Sequence, residues 1–214
     1  MEATPRKSLG LLALQGAFAA HRAMLARLGA ETLEVRTPDQ LAEVEALVLP
    51  GGESTTMLKF LDREGLRQPL AEFLAAGKPC FGTCAGAILL AQGVENPPQP
   101  SFGALDVDVR RNGYGRQRDS AILRLAAPAL GPAPLEAVFI RAPTIVRVGP
   151  GVTVLAWRDG LPILVEQGPV LAATFHPELT DDDRIHRRFL GMMNGSGPTS
   201  CGRPGSNPLS EGTR

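Results

Sequence analysis

Short apolar runs alternate with helical patterns through the first half of the chain, and this alternation restricts the fold more than any other feature. Runs at residues 8–14, 31–36, 45–50 and 79–83 predict strands, and residues 17–29, 55–65, 66–77 and 84–93 predict helices. Strands joined through helices need crossover connections, so they lie parallel in a sheet that is covered on both faces. The sequence therefore predicts an α/β fold, a three-layer sandwich around a mostly parallel central sheet.

The second half of the chain predicts a different local structure. Seven short apolar segments between residues 104 and 176 are separated by Gly or Pro turns, which is typical of antiparallel strands and hairpins. The sequence "WRDGLP" predicts a tight turn between two of these strands. A last helix is expected from Asp181 to Met193.

Length and charge limit the class of protein. The chain has 214 residues, and we assign residues 1–193 to one domain and expect the Gly-, Ser- and Pro-rich residues 194–214 to be a disordered tail. The balance of 22 basic against 22 acidic residues argues against nucleic acid or an anionic membrane surface as a partner. No apolar run approaches the ~20 residues that cross a bilayer, so no membrane span is expected.

The start of the chain and the spacing of its cysteines indicate the cellular compartment in which the protein is expected. Basic residues and then an apolar run are reminiscent of a secretory signal, but the run ends at Gln15-Gly16 and an ordinary helical pattern follows. The three cysteines form no CxxC pair and no cluster with metal-ligand spacing. We therefore expect a reduced, cytoplasmic setting, with no metal and no cofactor.

The stretch Gly82-Thr83-Cys84-Ala85-Gly86 has the spacing of a nucleophile elbow at a predicted strand-to-helix junction. In such an elbow the nucleophile adopts a strained backbone conformation, so its neighbours two residues away must be small. A helix N-terminus favours the thiolate of a cysteine, and the N–H of Ala85 can point at a developing oxyanion. Cys84 is therefore a candidate nucleophile.

A structural interpretation of the same stretch stays open. The glycines would let the strand and the helix pack closely, with Cys84 filling the corner as a small apolar residue. Cys80 lies within the apolar strand and is predicted to belong to the core. Cys201 lies in the predicted tail and is a poor candidate for any role.

A cysteine nucleophile needs a base, and the chain has three histidines. His176 follows an apolar strand, and Glu178 can reach its imidazole and fix the tautomer, whether along the strand or through a turn at Pro177. Taken alone, His-Pro-Glu is better explained as a turn with a solvated carboxylate. We expect His21 to be a packing residue and His186 to be exposed on the last helix.

The segment "LPGGESTTM", residues 49–57, indicates a ligand site. Two glycines after a predicted strand let a ligand approach the main chain, and Ser54, Thr55 or Thr56 is expected to cap the next helix. The lysine of a Walker phosphate loop is missing. The position matters most, because ligands of open α/β sheets bind at the carboxyl ends of the strands.

Together these segments resemble the class I, triad-type glutamine amidotransferases, which are flavodoxin-like, and among them the glutaminase subunits of pyridoxal 5′-phosphate synthase. The resemblance covers residues 9–193. The Gly-x-Cys-x-Gly and His-Pro-Glu pieces are similar to the whole class. The segments "GGESTTM", "RNGYGRQ" and "FIRAP" are similar to this one family.

The resemblance implies hydrolysis of L-glutamine to L-glutamate and ammonia through a cysteine thioester. Cys84 would attack the side-chain amide, His176 would act as base and then as acid, and Glu178 would orient His176. Main-chain N–H groups of Gly52 and Ala85 would form the oxyanion hole.

The resemblance also implies a binding site for glutamine. Fixed positive charge would hold the α-carboxylate, and Glu53 would pair with the α-ammonium group. From the residues alone, Arg141 is instead a solvated charge at a strand end. The implied set is Gly52, Glu53, Ser54, Arg111, Ile140 and Arg141.

A partner is implied as well: a TIM-barrel synthase subunit that takes up the ammonia and builds pyridoxal phosphate, vitamin B6, from a pentose phosphate and a triose phosphate. Such glutaminases are typically weak until docked. Gln15 and Gly16 match the segment expected near the oxyanion site and the partner interface. Ala20 departs from the family, which usually has an acidic residue there, and this puts a detail of the docking surface in doubt.

Three other functions stay open at this point. A glutaminase for another ammonia acceptor, such as an imidazole glycerol phosphate synthase, would not explain "RNGYGRQ" and "FIRAP". A redox-sensing or peptidase-like cysteine protein would leave the "GGES" loop and the two arginines without a purpose. A non-catalytic binding subunit would not need Cys84, His176 and Glu178 together.

Overall fold

A computed structural model describes residues 8–113 and 120–194 of the chain. The largest sheet in this part has seven strands. In spatial order they are β10 (Thr153–Arg158), β11 (Leu161–Gln167), β12 (Val170–Ala173), β4 (Cys80–Thr83), β3 (Ala46–Leu49), β1 (Leu9–Leu12) and β2 (Thr32–Val35). The five strands from β12 to β2 are parallel, and β11 and β10 extend the sheet as antiparallel strands.

Helices cover both faces of this sheet. Helices α1 (Phe18–Arg27) and α6 (Arg184–Met193) pack on one face, and α2 (Pro38–Ala42), α3 (Ser54–Arg63), α4 (Arg67–Ala75) and α5 (Ala85–Leu90) pack on the other. Successive residues of a strand point to opposite faces, so Leu47 enters one core and Val48 the other. The predicted three-layer α/β sandwich is confirmed.

Two smaller sheets complete the described part of the chain. Strands β5 (Ala91–Glu95), β6 (Leu105–Arg110) and β9 (Thr144–Val148) form one, and β7 (Ser120–Leu125) and β8 (Leu135–Ile140) form an antiparallel pair. The apolar residues of β6 join the core of helices α2–α5, and those of β8 join the core of α1 and α6. Antiparallel pairing in the second half is confirmed.

The hairpin between β10 and β11 turns at Asp159-Gly160, as "WRDGLP" predicts. Both residues have positive φ, 49° and 78°, as a two-residue turn with the right twist requires. One prediction about the second half is incomplete, because β12 is antiparallel to β11 but parallel to β4. The last strand thereby returns the chain to the parallel part of the sheet.

Two helix boundaries and one additional helix differ from the sequence predictions. The helix predicted over 84–93 ends at Leu90, because residues 91–95 pair with β6 as strand β5. Helix α2 was not predicted, although its capping box, with Thr37 at the N-cap and Gln40 at N3, is a recognisable signal. The last helix begins at Arg184 rather than Asp181, since a short 3-10 helix, Pro177–Leu179, and a turn precede it.

Some predictions concern the ends of the chain. The apolar run that is reminiscent of a secretory signal forms β1, which is fully buried in the main sheet. The predicted tail, residues 194–214 with Cys201, lies outside the described residues except for Asn194. None of the helices in the described part of the chain combines the length and the apolar character that crossing a bilayer requires.

Candidate active site

The candidate site lies where three neighbouring parallel strands end. Strand β4 pairs with β3 on one side and with β12 on the other. Gly51 follows β3, Cys84 follows β4 and His176 follows β12, so the three meet at one edge of the sheet. This is the edge at which open α/β sheets bind their ligands.

Cys84 occupies a strained elbow between β4 and α5. Its φ of 47° and ψ of −101° are rare for a residue with a side chain. A Cβ on Gly82 would come within 2.7 Å of the backbone of Gly86, and a Cβ on Gly86 would overlap the carbonyl oxygen of Leu49. Both flanking glycines are therefore required for packing. The predicted elbow geometry is confirmed, and the role of Cys84 as nucleophile stays a prediction.

Backbone hydrogen bonds hold the elbow in place. The N–H of Cys84 donates to the carbonyl oxygen of Ala173 at 2.9 Å, which ties the elbow to β12. The N–H of Ile88 donates to the carbonyl oxygen of Cys84 at 3.2 Å, within the first turn of α5. Cys80, the first residue of β4, is fully buried, so its predicted core position is confirmed. Burial raises the pKa of its thiol.

His176 is fixed by its neighbours on both sides. Its N–H donates to the carbonyl oxygen of Val138 at 2.8 Å, and its Nδ1 lies 2.7 Å from Glu178 Oε1. Pro177 turns the chain into the 3-10 helix that brings the carboxylate back to the imidazole. The solvated-carboxylate interpretation is wrong, because the Glu178 side chain is completely buried.

The charge of His176 is set by its partners. Burial alone would lower the pKa of His176, but hydrogen bonds with Cys84 and Glu178 outweigh burial and raise it to about 10. The imidazole is therefore a cation at neutral pH, held between the sulfur and the carboxylate.

Gly51 packs against both Cys84 and His176, and sequence reasoning did not single it out. A Cβ at this position would lie 2.8 Å from His176 Nδ1, closer still to Cε1, and 3.3 Å from Cys84 Cβ. The backbone thus packs directly against both side chains. The two glycines after β3 could have indicated this close packing, but the sequence analysis assigned them only to the approach of a ligand.

The cap of helix α3 differs from the sequence prediction. Glu53 is the N-cap residue, not Ser54, Thr55 or Thr56. Its Oε2 accepts from the N–H of Thr56 at 2.7 Å and from the Thr56 hydroxyl at 2.9 Å, and it also accepts from the Thr55 hydroxyl. Burial would raise the pKa of Glu53, but these hydrogen bonds prevail and lower it to about 2.

Glu53 also pairs with Arg111 across the site. Arg111 Nη2 donates to Glu53 Oε1 at 3.0 Å, and 14% of the Arg111 side chain is exposed. Ser54 is buried and donates its hydroxyl to Gln99 Oε1 at 2.8 Å. Arg111 and the loop after β3 thereby form one charged wall beside Cys84.

A cleft of about 380 Å³ opens at this wall. That volume falls within the range of ligand pockets, about 300–1,000 Å³. Arg141 has an unusual φ of 44° at the end of β8. The cleft brings together every residue of the implied glutamine site with Cys84 and His176. Its lining consists of Gly52, Glu53, Ser54, Cys84, Ile88, Arg111, Asn112, Ile140, Arg141 and His176.

Two backbone groups of the implied oxyanion hole flank this cleft. Gly52 lines it, and Ala85 is the buried first residue of α5, directly after Cys84. The segment "RNGYGRQ" is covered only in part, because residues 114–119 lie outside the described residues.

The loop after β1 supports the glycine loop from outside. Gln15 Nε2 donates to the carbonyl oxygen of Glu53 at 2.9 Å, and the N–H of Glu53 donates back to Gln15 Oε1 at 3.4 Å. The N–H of Ala17 donates to the carbonyl oxygen of Gly51 at 3.0 Å. Gln15 and Gly16 therefore lie against the implied oxyanion loop.

Two histidines lie behind the triad. His21 is fully buried, as expected of a packing residue. The prediction of an exposed His186 is wrong, because α6 turns this residue into the core against His21 and Phe81. The sequence pattern could not reveal this, since His186 has charged residues beside it on the helix.

Comparisons with known proteins agree with this geometry. The sequence profile of the SNO glutamine amidotransferase family matches residues 11–194. The pyridoxal 5′-phosphate synthase subunit PdxT of Koribacter versatilis is 60% identical over 86% of this chain and 95% of its own length. The protein of the same name from Solibacter usitatus is 55% identical over 87% of this chain and 100% of its own.

A solved structure is similar along nearly its whole length. A crystal structure titled as a glutamine amidotransferase superposes with a TM-score of 0.81 at 47% identity, over 87% of this chain and 98% of that one. The profile match and the identities extend over most of the chain, including the elbow and the histidine. The chain therefore belongs to the SNO glutamine amidotransferase family.

Proposed function

We propose that the chain hydrolyses L-glutamine to L-glutamate and ammonia with Cys84 as nucleophile, His176 as base and acid, and Glu178 as the residue that orients His176. One observation carries the proposal: an imidazole that is hydrogen-bonded to a buried carboxylate and lines the same cleft as Cys84, which lies at a strained elbow. This is the arrangement that nucleophilic catalysis by cysteine requires.

The first half of the reaction forms the thioester. Glu178 engages His176 Nδ1 at 2.7 Å, which leaves Nε2 to face the sulfur of Cys84. The sulfur attacks the side-chain carbonyl carbon of glutamine, and the carbonyl oxygen becomes an oxyanion. When that intermediate collapses, the C–N bond breaks and His176 gives its proton to the departing ammonia.

The second half releases glutamate. His176, now neutral, takes a proton from water, and the resulting hydroxide attacks the thioester carbon. The C–S bond breaks, Cys84 leaves as thiolate, and the His176 cation beside it is restored. Glu178 keeps the imidazole in one orientation through both halves, because its buried carboxylate has no solvent to turn toward.

The oxyanion is stabilised by the N–H groups of Gly52 and Ala85. Ala85 follows the nucleophile directly at the start of α5, where elbow folds place one such donor. Gly52 supplies the second from the loop after β3. A Cβ on Gly52 would lie 2.7 Å from Gln15 Nε2, so a larger residue would displace the side chain that supports this loop.

The rest of the cleft recognises the amino-acid end of glutamine. Arg111 and Arg141 bind the α-carboxylate, because a guanidinium is always charged and pairs with both oxygens. Glu53 accepts from the α-ammonium group with Oε1, since 46% of its side chain is exposed even though it caps α3. Ser54 and Ile140 complete the walls.

The ammonia is delivered to a synthase subunit, a TIM barrel that makes pyridoxal 5′-phosphate. This is supported by two relatives that are pyridoxal 5′-phosphate synthase subunits PdxT, at 60% and 55% identity to this chain. The chain thereby serves vitamin B6 biosynthesis as one part of a hetero-oligomer. A cytoplasmic setting suits Cys84, which is a free thiol.

Bypass of the glutaminase step tests this function. The complex with the synthase subunit is supplied with pentose phosphate, triose phosphate and either glutamine or an ammonium salt, and pyridoxal phosphate is followed by absorbance. We expect Cys84→Ala to abolish formation from glutamine and to leave formation from ammonium unchanged. Glutamine-dependent formation at the wild-type rate in Cys84→Ala would overturn the proposal.

A further inference from the structure

A chain of buried polar groups extends from the triad into the protein core. His21 Nε2 lies 3.1 Å from Thr83 Oγ1 and 3.4 Å from Glu178 Oε2. His21 Nδ1 lies 3.0 Å from His186 Nε2 on α6. Both histidines are fully buried, and the proposed chemistry uses neither of them.

Glu178 uses only one of its two oxygens in the triad. Oε1 receives His176, whereas Oε2 is buried and accepts no hydrogen bond from residues 8–113 or 120–194. A buried carboxylate oxygen without a donor is unfavourable, so an N–H group close to Oε2 stabilises the carboxylate in its present orientation. His21 Nε2 is the side-chain nitrogen that faces this oxygen.

The hydrogen-bond pattern selects one tautomer of His21. His186 Nδ1 is buried and has no partner among the described residues, so a proton there would be an orphaned donor. His186 therefore carries its proton on Nε2 and donates it to His21 Nδ1. His21 in turn carries its proton on Nε2, where it points at Thr83 Oγ1 and Glu178 Oε2.

The opposite assignment is unfavourable in two places. A proton on His21 Nδ1 would force the proton of His186 onto its unpartnered Nδ1. It would also turn the lone pair of His21 Nε2 toward a carboxylate oxygen 3.4 Å away. Only the first assignment gives the ring N–H of each histidine an acceptor and avoids the repulsion between the lone pair of His21 Nε2 and Glu178 Oε2.

Both histidines act as neutral groups. Burial lowers the pKa of His21, with the His176 cation adding to this and Glu178 opposing it. Burial and then His21 lower the pKa of His186 to about 3. A neutral N–H donor can orient a carboxylate without competing with His176 for its charge.

We propose that His21 is a positioning residue for the glutaminase reaction: its Nε2–H, held in place by His186 and directed at Thr83 Oγ1, also faces Glu178 Oε2 at 3.4 Å and thereby fixes the carboxylate that orients His176. The proposal rests on the proposed function. Thr83 adjoins the nucleophile, so the same N–H also ties the elbow to the segment that carries the base.

Loss of the contact between His21 and Glu178 should change the pH dependence of kcat/KM. A donor to Oε2 stabilises the ionised form of Glu178, so its loss raises the pH at which the buried carboxyl gains a proton. The acid limb of kcat/KM then moves to higher pH. The titratable and charged groups that face this network are Cys84 at the elbow, His176 and Glu178 after β12, Asp183 and His186 at α6, and His21 and Arg27 on α1.

Three variants test the proposal by glutamate release in the complex with the synthase subunit. His21→Leu keeps the bulk but removes the donor, and we expect kcat to fall about tenfold, less than the 10²–10⁴ of losing a general base. KM stays unchanged because His21 does not line the cleft. The acid limb should move up by about one pH unit.

His21→Gln distinguishes positioning from packing. A glutamine amide places an N–H donor near the position of His Nε2, so we expect most of kcat and the wild-type acid limb to return. Leu25→Ala is the matched control, since it empties a buried site one turn further along α1 and should lower the melting temperature without moving the acid limb. A His21→Leu variant with wild-type kcat and acid limb, or a His21→Gln variant no better than it, would overturn the proposal.

The tautomer of His21 can also be measured on the wild-type chain, so this test does not depend on the folding of a variant. Nitrogen-15 NMR of the histidine rings reports which ring nitrogen carries the proton, and we expect Nε2–H for His21. A proton on Nδ1 would overturn the proposal. An inactive wild-type complex would instead overturn the proposed function, so the two failures are distinguishable.

Discussion

Replacing Gly51 with alanine tests how closely the backbone after β3 holds the base against the nucleophile. The new Cβ would lie 2.8 Å from His176 Nδ1 and closer still to Cε1. Non-bonded heavy atoms settle at about 3.5–4.0 Å, so the ring must move by about 1 Å. That movement strains the 2.7 Å hydrogen bond to Glu178 and changes the approach to Cys84.

A displacement of this size in a catalytic group lowers the rate by about 100-fold. We therefore expect Gly51→Ala to lower kcat about 100-fold and to lower the free energy of unfolding by about 1–2 kcal/mol, the net value of a strained hydrogen bond. Glutamate release in the complex and urea denaturation of the free chain measure the two effects.

The control is Gly77→Ala, after α4. A Cβ there meets open space, but the φ of 68° makes the substitution strained, so it should cost about 1 kcal/mol of stability and leave kcat unchanged. Wild-type kcat in Gly51→Ala would refute the reasoning, because His176 could then not lie where the structure places it.

Three further predictions concern the cleft and the triad. Arg111→Met should raise KM for glutamine about 10- to 100-fold with a smaller change in kcat, because it removes charge from the α-carboxylate site. An electrophilic glutamine analogue should label Cys84 and spare the buried Cys80, as peptide mass spectrometry can show. His176 should titrate at about 10 by NMR, since Cys84 and Glu178 outweigh burial, and Glu178→Gln should lower that pKa by roughly 1–3 units.

Each of these predictions has a contrary outcome. Arg110→Met is the control for the first, because Arg110 pairs with Glu95 at the surface, and an equal rise of KM in both variants would contradict the assigned site. Label on Cys80 would contradict the second. A His176 pKa that is the same in wild type and Glu178→Gln would contradict the third.

Much of the fold is readable from the sequence because burial dictates it. Strands β1, β3 and β4 are fully buried, and strands covered on both faces must be apolar, so their short apolar runs were readable. The elbow was readable for a related reason. Gly82 and Gly86 are in contact with each other and with β3, so larger residues are excluded and the spacing becomes a signal.

Features that depend on distant contacts were not readable. Residues 91–95 pair with β6 as a strand, although residues up to 93 continue a helical pattern. The local sequence does not indicate this pairing. Glu53, rather than one of the three hydroxyl residues that follow it, caps α3. Its longer side chain reaches Arg111 at the same time, a contact that the local sequence does not show. The burial of His186 depends on the packing of α6 against α1, which places two histidines 165 positions apart in hydrogen-bond contact.

The central claim is that Cys84, and not its neighbour in the strand, cleaves glutamine. The most direct test measures glutamate release from glutamine by the complex of the chain with the synthase subunit, for the wild type, Cys84→Ala and Cys80→Ala. We expect no release above background from Cys84→Ala, and release within about twofold of wild type from Cys80→Ala, because a small core substitution costs stability rather than chemistry. Glutamate release by Cys84→Ala at the wild-type rate would contradict the account.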